Sequence, residues 1–209
     1  MPADGSPYES CPEVCGNLER PGVALDTPKW IEHSHLDTTV DQLRIEEALA
    51  AMAWRGKSIL HIGVGNSRFA QRFAAEAALI DGLTVCQSEV DLARSLRIPN
   101  YTVYFLNKYS REFLLTLTNR YDFVIDNNLA SFACCKYHFY RMLDNYLWAM
   151  KPGARILTDQ RGMDFTVEEQ RWILSYEDLQ ALERKFPVRV SRVTATVYSI
   201  AAIASEVTG

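Results

Sequence analysis

The run Lys57-Ser-Ile-Leu-His-Ile-Gly-Val-Gly-Asn-Ser-Arg-Phe-Ala70 constrains the fold more than any other part of this chain. An apolar stretch, 59–62, stops at Gly63 and Gly65, and a helix-forming segment follows at once. The pattern reads as a strand, a tight turn and a helix. Glycine in such a turn lets a ligand approach the backbone where a side chain would collide, and the helix start offers unpaired N–H groups. The expected ligand is nucleotide-like. A glycine turn also serves many strands that merely reverse into a helix, so the rest of the chain must decide.

Downstream the same unit recurs. Strands are expected at 58–62, 82–86, 101–106 and 121–126, separated by helices at 67–79, 90–96 and 111–118. A helix at 137–150 follows, with Tyr140, Leu143, Leu147 and Met150 on one face, then a Lys151-Pro-Gly-Ala turn and a strand at 155–158. Helical stretches at 167–175 and 176–185 lead into β segments at 188–193 and 196–203. Only Thr194 and Ala195 separate those two, which predicts an antiparallel hairpin. Repeated β–α alternation implies a doubly wound, mainly parallel sheet with helices on both faces. The hairpin supplies an antiparallel last strand. Upstream, Asp37 or Thr38 is placed to cap a helix reaching about Trp54, with Ile45, Ala48, Leu49 and Met52 on one face. Residues 1–28 are rich in Pro and Gly and read as a loop-like leader. The expected organisation is a leader and helical cap over 1–54 and one α/β domain over 55–209.

A chain of 209 residues with 48% apolar and 23% charged residues can bury a full core. A net charge of -4 argues against a nucleic-acid partner, which calls for a basic face. No apolar run approaches the roughly 20 residues that span a bilayer. The N-terminal stretch lacks a signal-like basic and apolar region, so a cytoplasmic, reducing setting is expected. Cys11, Cys15, Cys86, Cys134 and Cys135 form no Cys-x-x-Cys pair, and no metal site is expected. Cys86 and one of Cys134 and Cys135 read as small buried residues, and the four tryptophans as core or rim aromatics.

Ligands of such sheets bind beyond the carboxyl ends of the strands. The first strand end offers His61, Gly63, Gly65, Asn66 and Ser67, with Asn66 or Ser67 also fit to cap the following helix. The second offers Thr84, Gln87 and Glu89, although an acid there also suits the dipole of a helix start. The third offers Asn107, fit for a base edge or simply for a turn. The fourth offers Asp126, Asn127 and Asn128, an unusual density of polar groups after a buried strand. His138, at the start of the next helix, is placed to act as a base or to be merely solvated.

Taken together, the chain resembles class I S-adenosylmethionine-dependent methyltransferases over roughly residues 40 to 205. The resemblance rests on Ile59-Leu-His-Ile-Gly-Val-Gly-Asn-Ser67, Tyr121-Asp-Phe-Val-Ile-Asp126 and Met150-Lys-Pro-Gly-Ala-Arg-Ile-Leu-Thr158, and on the terminal hairpin. It implies a Rossmann-like, seven-stranded sheet with a reversed last strand. It departs from the usual pattern at His61, where the family has Asp or Glu, and at Ser67, where it has a third glycine. Gly82-Leu-Thr-Val is similar to the branch related to cyclopropane-fatty-acid synthases, in which a threonine stands in the acid's place. The resemblance thus implies Thr84 and Glu89 as ribose contacts and Asn107 as the adenine contact. It puts Asp126 and Asn127 where strand four meets cofactor and substrate.

The implied activity is methyl transfer from S-adenosylmethionine to an O- or N-nucleophile of a small molecule, with secondary metabolism as one expected setting and S-adenosylhomocysteine as product. Asp126 and His138 are the candidate bases. The alternatives are a protein methyltransferase, or a cofactor-binding enzyme that catalyses cyclisation or elimination. The expected partner is a small-molecule acceptor, with no nucleic acid and no membrane, and a homodimer is one possible assembly.

Overall fold

The structure, a computed structural model, describes residues 32–110, 112–118, 120–130, 136–163 and 174–203, with the backbone alone at 136–138. Helix α1 (Val40–Ala50) precedes β1 (Ser58–Ile62), α2 (Arg68–Phe73), β2 (Leu79–Thr84), α3 (Gln87–Ser95) and β3 (Tyr101–Phe105). Then come α4 (Glu112–Thr116), β4 (Tyr121–Asp126), α5 (Lys136–Ala149), β5 (Met150–Asp159) and the short α6 (Gln160–Met163). Helix α7 (Tyr176–Ala181), a 3-10 turn at Leu182–Arg184, β6 (Val188–Arg192) and β7 (Val197–Ala202) complete the described chain.

The strands form one seven-stranded sheet in the order β3-β2-β1-β4-β5-β7-β6. Neighbours from β3 to β5 pair in parallel, and β7 runs antiparallel to both β5 and β6. This is the doubly wound sheet with a reversed last strand that the sequence predicts. Strand alternation sends successive side chains to opposite faces. Leu60 and Ile62 of β1 join the core under α4, α5 and α7, which includes Phe113, Phe139, Tyr146 and Leu179. Ile59 joins the opposite core with Ile45 and Leu49 of α1 and Phe69 and Phe73 of α2. Helices therefore cover both faces. Helix α1 packs on the sheet itself, sharing this core with Phe123, Ile125, Leu157 and Val197.

Several boundaries differ from the sequence reading, and around β2 and β5 strand pairing overrides local propensity. Helix α2 ends at Phe73, well short of residue 79, because Leu79 and Ile80 pair with Ser58 and Ile59 and so start β2 three residues early. The Lys151-Pro-Gly-Ala segment is no free turn but a bulge inside β5. Its register jumps from Tyr121↔Met150 to Phe123↔Arg155, with Gly153 at φ +78. The hairpin loop takes four residues, 193–196, rather than two. Helix α1 starts at Val40 with Thr39 as N-cap, without a side-chain cap bond. Cys86 is half-buried, its Sγ 3.0 Å from Ser88 Oγ, rather than a core residue. Trp54 is in the core, whereas Trp148 is exposed. The leader to residue 31, the expected helix up to 173, Trp30, Trp172, Cys11, Cys15, Cys134 and Cys135 lie outside the described residues. Among the described residues, no helix is long and apolar enough to cross a membrane.

Candidate functional site

Strand β1 ends where its neighbours end. Ile62 pairs with Leu83 of β2 and with Asp126 of β4, so the following turn stands in the crevice at the strand ends. The chain leaves the sheet through three left-handed residues: Gly63 at φ +74, Gly65 at φ +49 and Ser67 at φ +57. The Gly63 N–H donates to Leu83 O at 2.8 Å and the Ser67 N–H to Val64 O at 2.9 Å. A Cβ on Gly63 would meet nothing within 4 Å, so that glycine answers a conformational need. A Cβ on Gly65 would lie 3.3 Å from His33 Cβ, so that glycine also permits a close approach. Ser67 is left-handed although it is not a glycine, and its buried hydroxyl hydrogen-bonds Tyr101 Oη at 3.0 Å. Ser67 makes no side-chain cap; Asn66 does that work, its Oδ1 accepting the Arg68 N–H at 3.0 Å.

Glu89, in the first turn of α3, reaches back to this turn and is buried. Its Oε2 accepts from Thr84 Oγ1 at 2.6 Å and from the Gly65 N–H at 3.2 Å. Its Oε1 accepts from the His33 N–H at 3.2 Å. Residues 33–39 thus form a strap across the glycine turn. Asn66 Nδ2 donates to Leu36 O at 2.7 Å and to Thr38 Oγ1 at 3.2 Å, and Arg68 pairs with Asp37 at 2.9 Å.

Between strap, turn and helix α1 lies a cavity of about 80 Å³. It is small beside the roughly 300–1,000 Å³ of most small-molecule pockets. Of the predicted residues, His61, Gly63, Gly65, Asn66, Glu89 and Asn127 line it. Its back wall carries buried polar atoms without partners among the described residues. His61 shares the β1 face with Ile59 and lies against Phe69, the ring centroids 4.5 Å apart. Neither of its ring nitrogens has a hydrogen bond among the described residues, and neither does Gln42 Oε1. Burial pushes the His61 pKa down to about 3, which leaves a neutral ring with one donor and one acceptor. Buried polar atoms left unpaired cost about 1–3 kcal/mol each. A ligand bearing its own donors and acceptors would satisfy this set.

Helix α1 is fixed above the cavity by polar contacts. Asp41 Oδ2 accepts from Asn127 Nδ2 at 2.9 Å, and Glu46 Oε2 from Arg72 at 3.0 Å. Burial raises the Glu46 pKa, against the bonds from Gln42 and Arg72. Arg44 grips Asp159, at the end of β5, through Nε at 2.8 Å and Nη2 at 2.6 Å. Asp41, Gln42 and Glu46 escaped sequence reasoning. They are polar residues within an ordinary amphipathic pattern, and only the packing shows which way they point.

Asp126 lies below the cavity rather than in its wall. Its Oδ2 accepts from Lys108 Nζ at 3.0 Å and Tyr146 Oη at 2.7 Å, and its Oδ1 from the Asn128 N–H at 3.1 Å. Lys108 also donates to Asn128 O at 2.9 Å. Burial lowers the Lys108 pKa, against the attraction of Asp126. This network holds the turn that presents Asn127 and Asn128 to the cavity. Thr84, Asn107 and Ser67 also stand behind the wall: Thr84 holds Glu89, Ser67 holds Tyr101, and Asn107 Oδ1 accepts the Tyr109 N–H at 2.9 Å. The backbone of residue 138 falls in the first turn of α5, and its side chain lies outside the described part. Among the described residues, no three His, Cys, Asp or Glu side chains are grouped to hold a metal ion.

No family model matches this sequence, and no curated protein matches it. The structure is nonetheless similar to solved ones. N-methyltransferase NodS from Bradyrhizobium japonicum WM9, in complex with S-adenosyl-L-homocysteine, superposes with a TM-score of 0.57 at 12% identity, covering 92% of this chain and 99% of that one. Magnesium protoporphyrin IX methyltransferase from Synechocystis PCC 6803, with bound S-adenosylmethionine, gives 0.56 at 13% identity, over 82% of this chain and 88% of that one. The [4+2]-cyclase SpnF gives 0.53 at 17% identity, over 72% and 58%. At such identities the likeness shows the fold, and the fold is that of class I S-adenosylmethionine-dependent methyltransferases.

Proposed function

We propose that this chain transfers a methyl group from S-adenosylmethionine to a small-molecule O- or N-nucleophile. The observation that carries the reading is the convergence on one cavity of the glycine turn, the anchored Glu89 carboxylate, and His61 and Gln42, whose ring nitrogens and Oε1 have no hydrogen bond among the described residues. Two structural neighbours of the same fold hold this cofactor or its product.

In this reading Gly63, Gly65 and Asn66 let the cofactor approach the backbone. Glu89 accepts from its ribose, held in place by Thr84. His61, Ser67, Asn107 and Asn127 complete the binding wall, directly or by shaping it. Bound there, the cofactor supplies a methyl group already made electrophilic by the sulfonium. The protein then needs to hold the nucleophile in line and keep water out, which is worth about 7–11 kcal/mol in favourable cases. Asp126 acts as a positioning residue, because its carboxylate is buried outside the cavity wall and holds Lys108, Tyr146 and the Asn128 N–H. His138 is the remaining base, expected to add about 10²–10⁴-fold for a hydroxyl acceptor.

The test begins with calorimetry of S-adenosylmethionine and S-adenosylhomocysteine on the full chain, followed by acceptor screening with methyl-labelled cofactor. Binding, labelled product and matching S-adenosylhomocysteine are the expected results. Absence of binding by both, in a folded sample, would sink the proposal. The likeness to a cyclase supports one second reading: product formed without S-adenosylhomocysteine would replace methyl transfer by cyclisation. The variant His138→Ala is expected to lower turnover with cofactor affinity unchanged.

A further inference from the structure

Glu89 uses its two oxygens differently. Oε2 is held by two groups of the scaffold, the Thr84 hydroxyl at 2.6 Å and the Gly65 N–H at 3.2 Å. Among the described residues, the one donor to Oε1 is the His33 N–H of the strap, at 3.2 Å. The same residue lies over Gly65, where its Cβ takes the close approach that the glycine allows. The strap therefore fills both openings that sequence and fold provide for a ligand: the space above the glycine and the free oxygen of the acid. Beneath it the cavity is about 80 Å³, lined by His61 and Gln42, and the His61 ring nitrogens and Gln42 Oε1 have no hydrogen bond among the described residues. A strap that satisfied the whole site would leave no such atoms.

We propose that the strap 33–39 is an intramolecular competitor for the ligand, with the His33 N–H standing in for a ligand hydroxyl on Glu89 Oε1. The proposal rests on the cofactor reading above and adds its regulation. Cofactor entry exchanges one donor for another on Oε1, while Thr84 and Gly65 keep hold of Oε2. Glu89 thus stays in place, and the strap alone moves. Once the strap is displaced, His61 and Gln42 gain partners that the closed form denies them, which offsets the lost contacts. The strap's other ties are few: Asn66 Nδ2 donates to Leu36 O at 2.7 Å and to Thr38 Oγ1 at 3.2 Å, and the Arg68–Asp37 pair has side chains 60% and 89% exposed. An exposed ion pair like that one contributes about 0–1 kcal/mol. The closed form is accordingly a latch that a ligand can open.

The experiment follows backbone amide exchange in the full chain, with S-adenosylhomocysteine as the probe and calorimetry on the same sample. Without ligand, the His33 and Gly65 amides are both expected to be protected. At saturation, His33 loses protection by about tenfold or more while Gly65 keeps its own. In the double variant Asp37→Ala, Thr38→Val the strap loses side-chain ties to Arg68 and Asn66. Its association rate with S-adenosylhomocysteine should rise about 3- to 10-fold, as expected for one or two lost hydrogen bonds. Binding with the His33 amide still protected and the association rate unchanged would overturn the competition and leave the cofactor reading standing. Absence of binding in calorimetry would remove the cofactor reading and the competition with it. A third sample, Glu89→Ala, separates latch from ligand: His33 should lose protection with no ligand present, and retained protection overturns the latch.

Discussion

His61 sits where the family that the sequence resembles usually has an acid, and its setting gives it a consequence of its own. The imidazole titrates near 6.5 in an unfolded chain and, pushed down by burial, at about 3 in the folded one. The stability carried by the neutral ring is complete above pH 6.5 and is lost as pH falls from 6.5 towards 3. Within that window one proton is worth about 1.4 kcal/mol per pH unit. In the variant His61→Asn this slope should vanish. Denaturant unfolding of both proteins between pH 7 and 4.5 checks it, and parallel pH profiles would mean that His61 is not buried as a neutral ring. At this scale the sequence was partly legible. Gly63 and Gly65 announce a left-handed turn, because few other residues adopt it readily. The partner of Gly65, His33, could not be read, because it lies thirty-odd residues away in a segment without pattern.

Elements are tied together at the strand ends by a few polar contacts. Arg44 of α1 holds Asp159 of β5 with two short bonds, and the Asp159 side chain is fully buried. Burial would raise the Asp159 pKa, but the bonds from Arg44 and the Arg161 N–H win and hold it below the usual range. Arg44→Met should cost about 1.5–3 kcal/mol, the loss of hydrogen bonds to a charged group. Arg44→Lys should recover only part of this, since a point charge does not reproduce a two-pronged grip. Equilibrium denaturation measures both; a loss under about 0.5 kcal/mol for Arg44→Met would assign the pair the small value of a surface contact. The apolar face of α1 was legible from its spacing, and Ile45, Ala48 and Leu49 are buried as expected. The burial of Asp41, Gln42 and Glu46 was not, because it depends on Asn127, Arg72 and the cavity.

At the scale of the whole molecule, ligand binding and folding are linked. A ligand that binds only the folded chain, at a hundredfold excess over Kd, adds about 2.7 kcal/mol of stability. For a domain of this size that corresponds to a rise of roughly 5–10 °C in Tm. S-adenosylhomocysteine and S-adenosylmethionine should both produce such a rise in thermal unfolding of the full chain. An unchanged Tm at saturating concentrations would count against any cofactor role for the cavity. In the double strap variant the rise should be larger, because less of the binding energy is spent on opening the strap.

The order of strands and helices was written in the sequence, because period and punctuation are local: apolar runs of strand length, glycine at the turn, and two β segments close enough to form a hairpin. The same local signals mark the strand ends, and therefore Gly63, Gly65, Asn66, Glu89 and Asn127 as candidates for one site. What only the tertiary structure decided is which polar groups meet. Pairing across the sheet, not propensity, sets the ends of α2 and the bulge in β5. Packing turns Asp126 away from the cavity and into a buried network with Lys108 and Tyr146. Packing also lays residues 33–39 across the glycine turn, where they take the place expected of a ligand. Contacts between residues far apart in sequence leave no periodic trace, since each requires the whole sheet to bring its partners together.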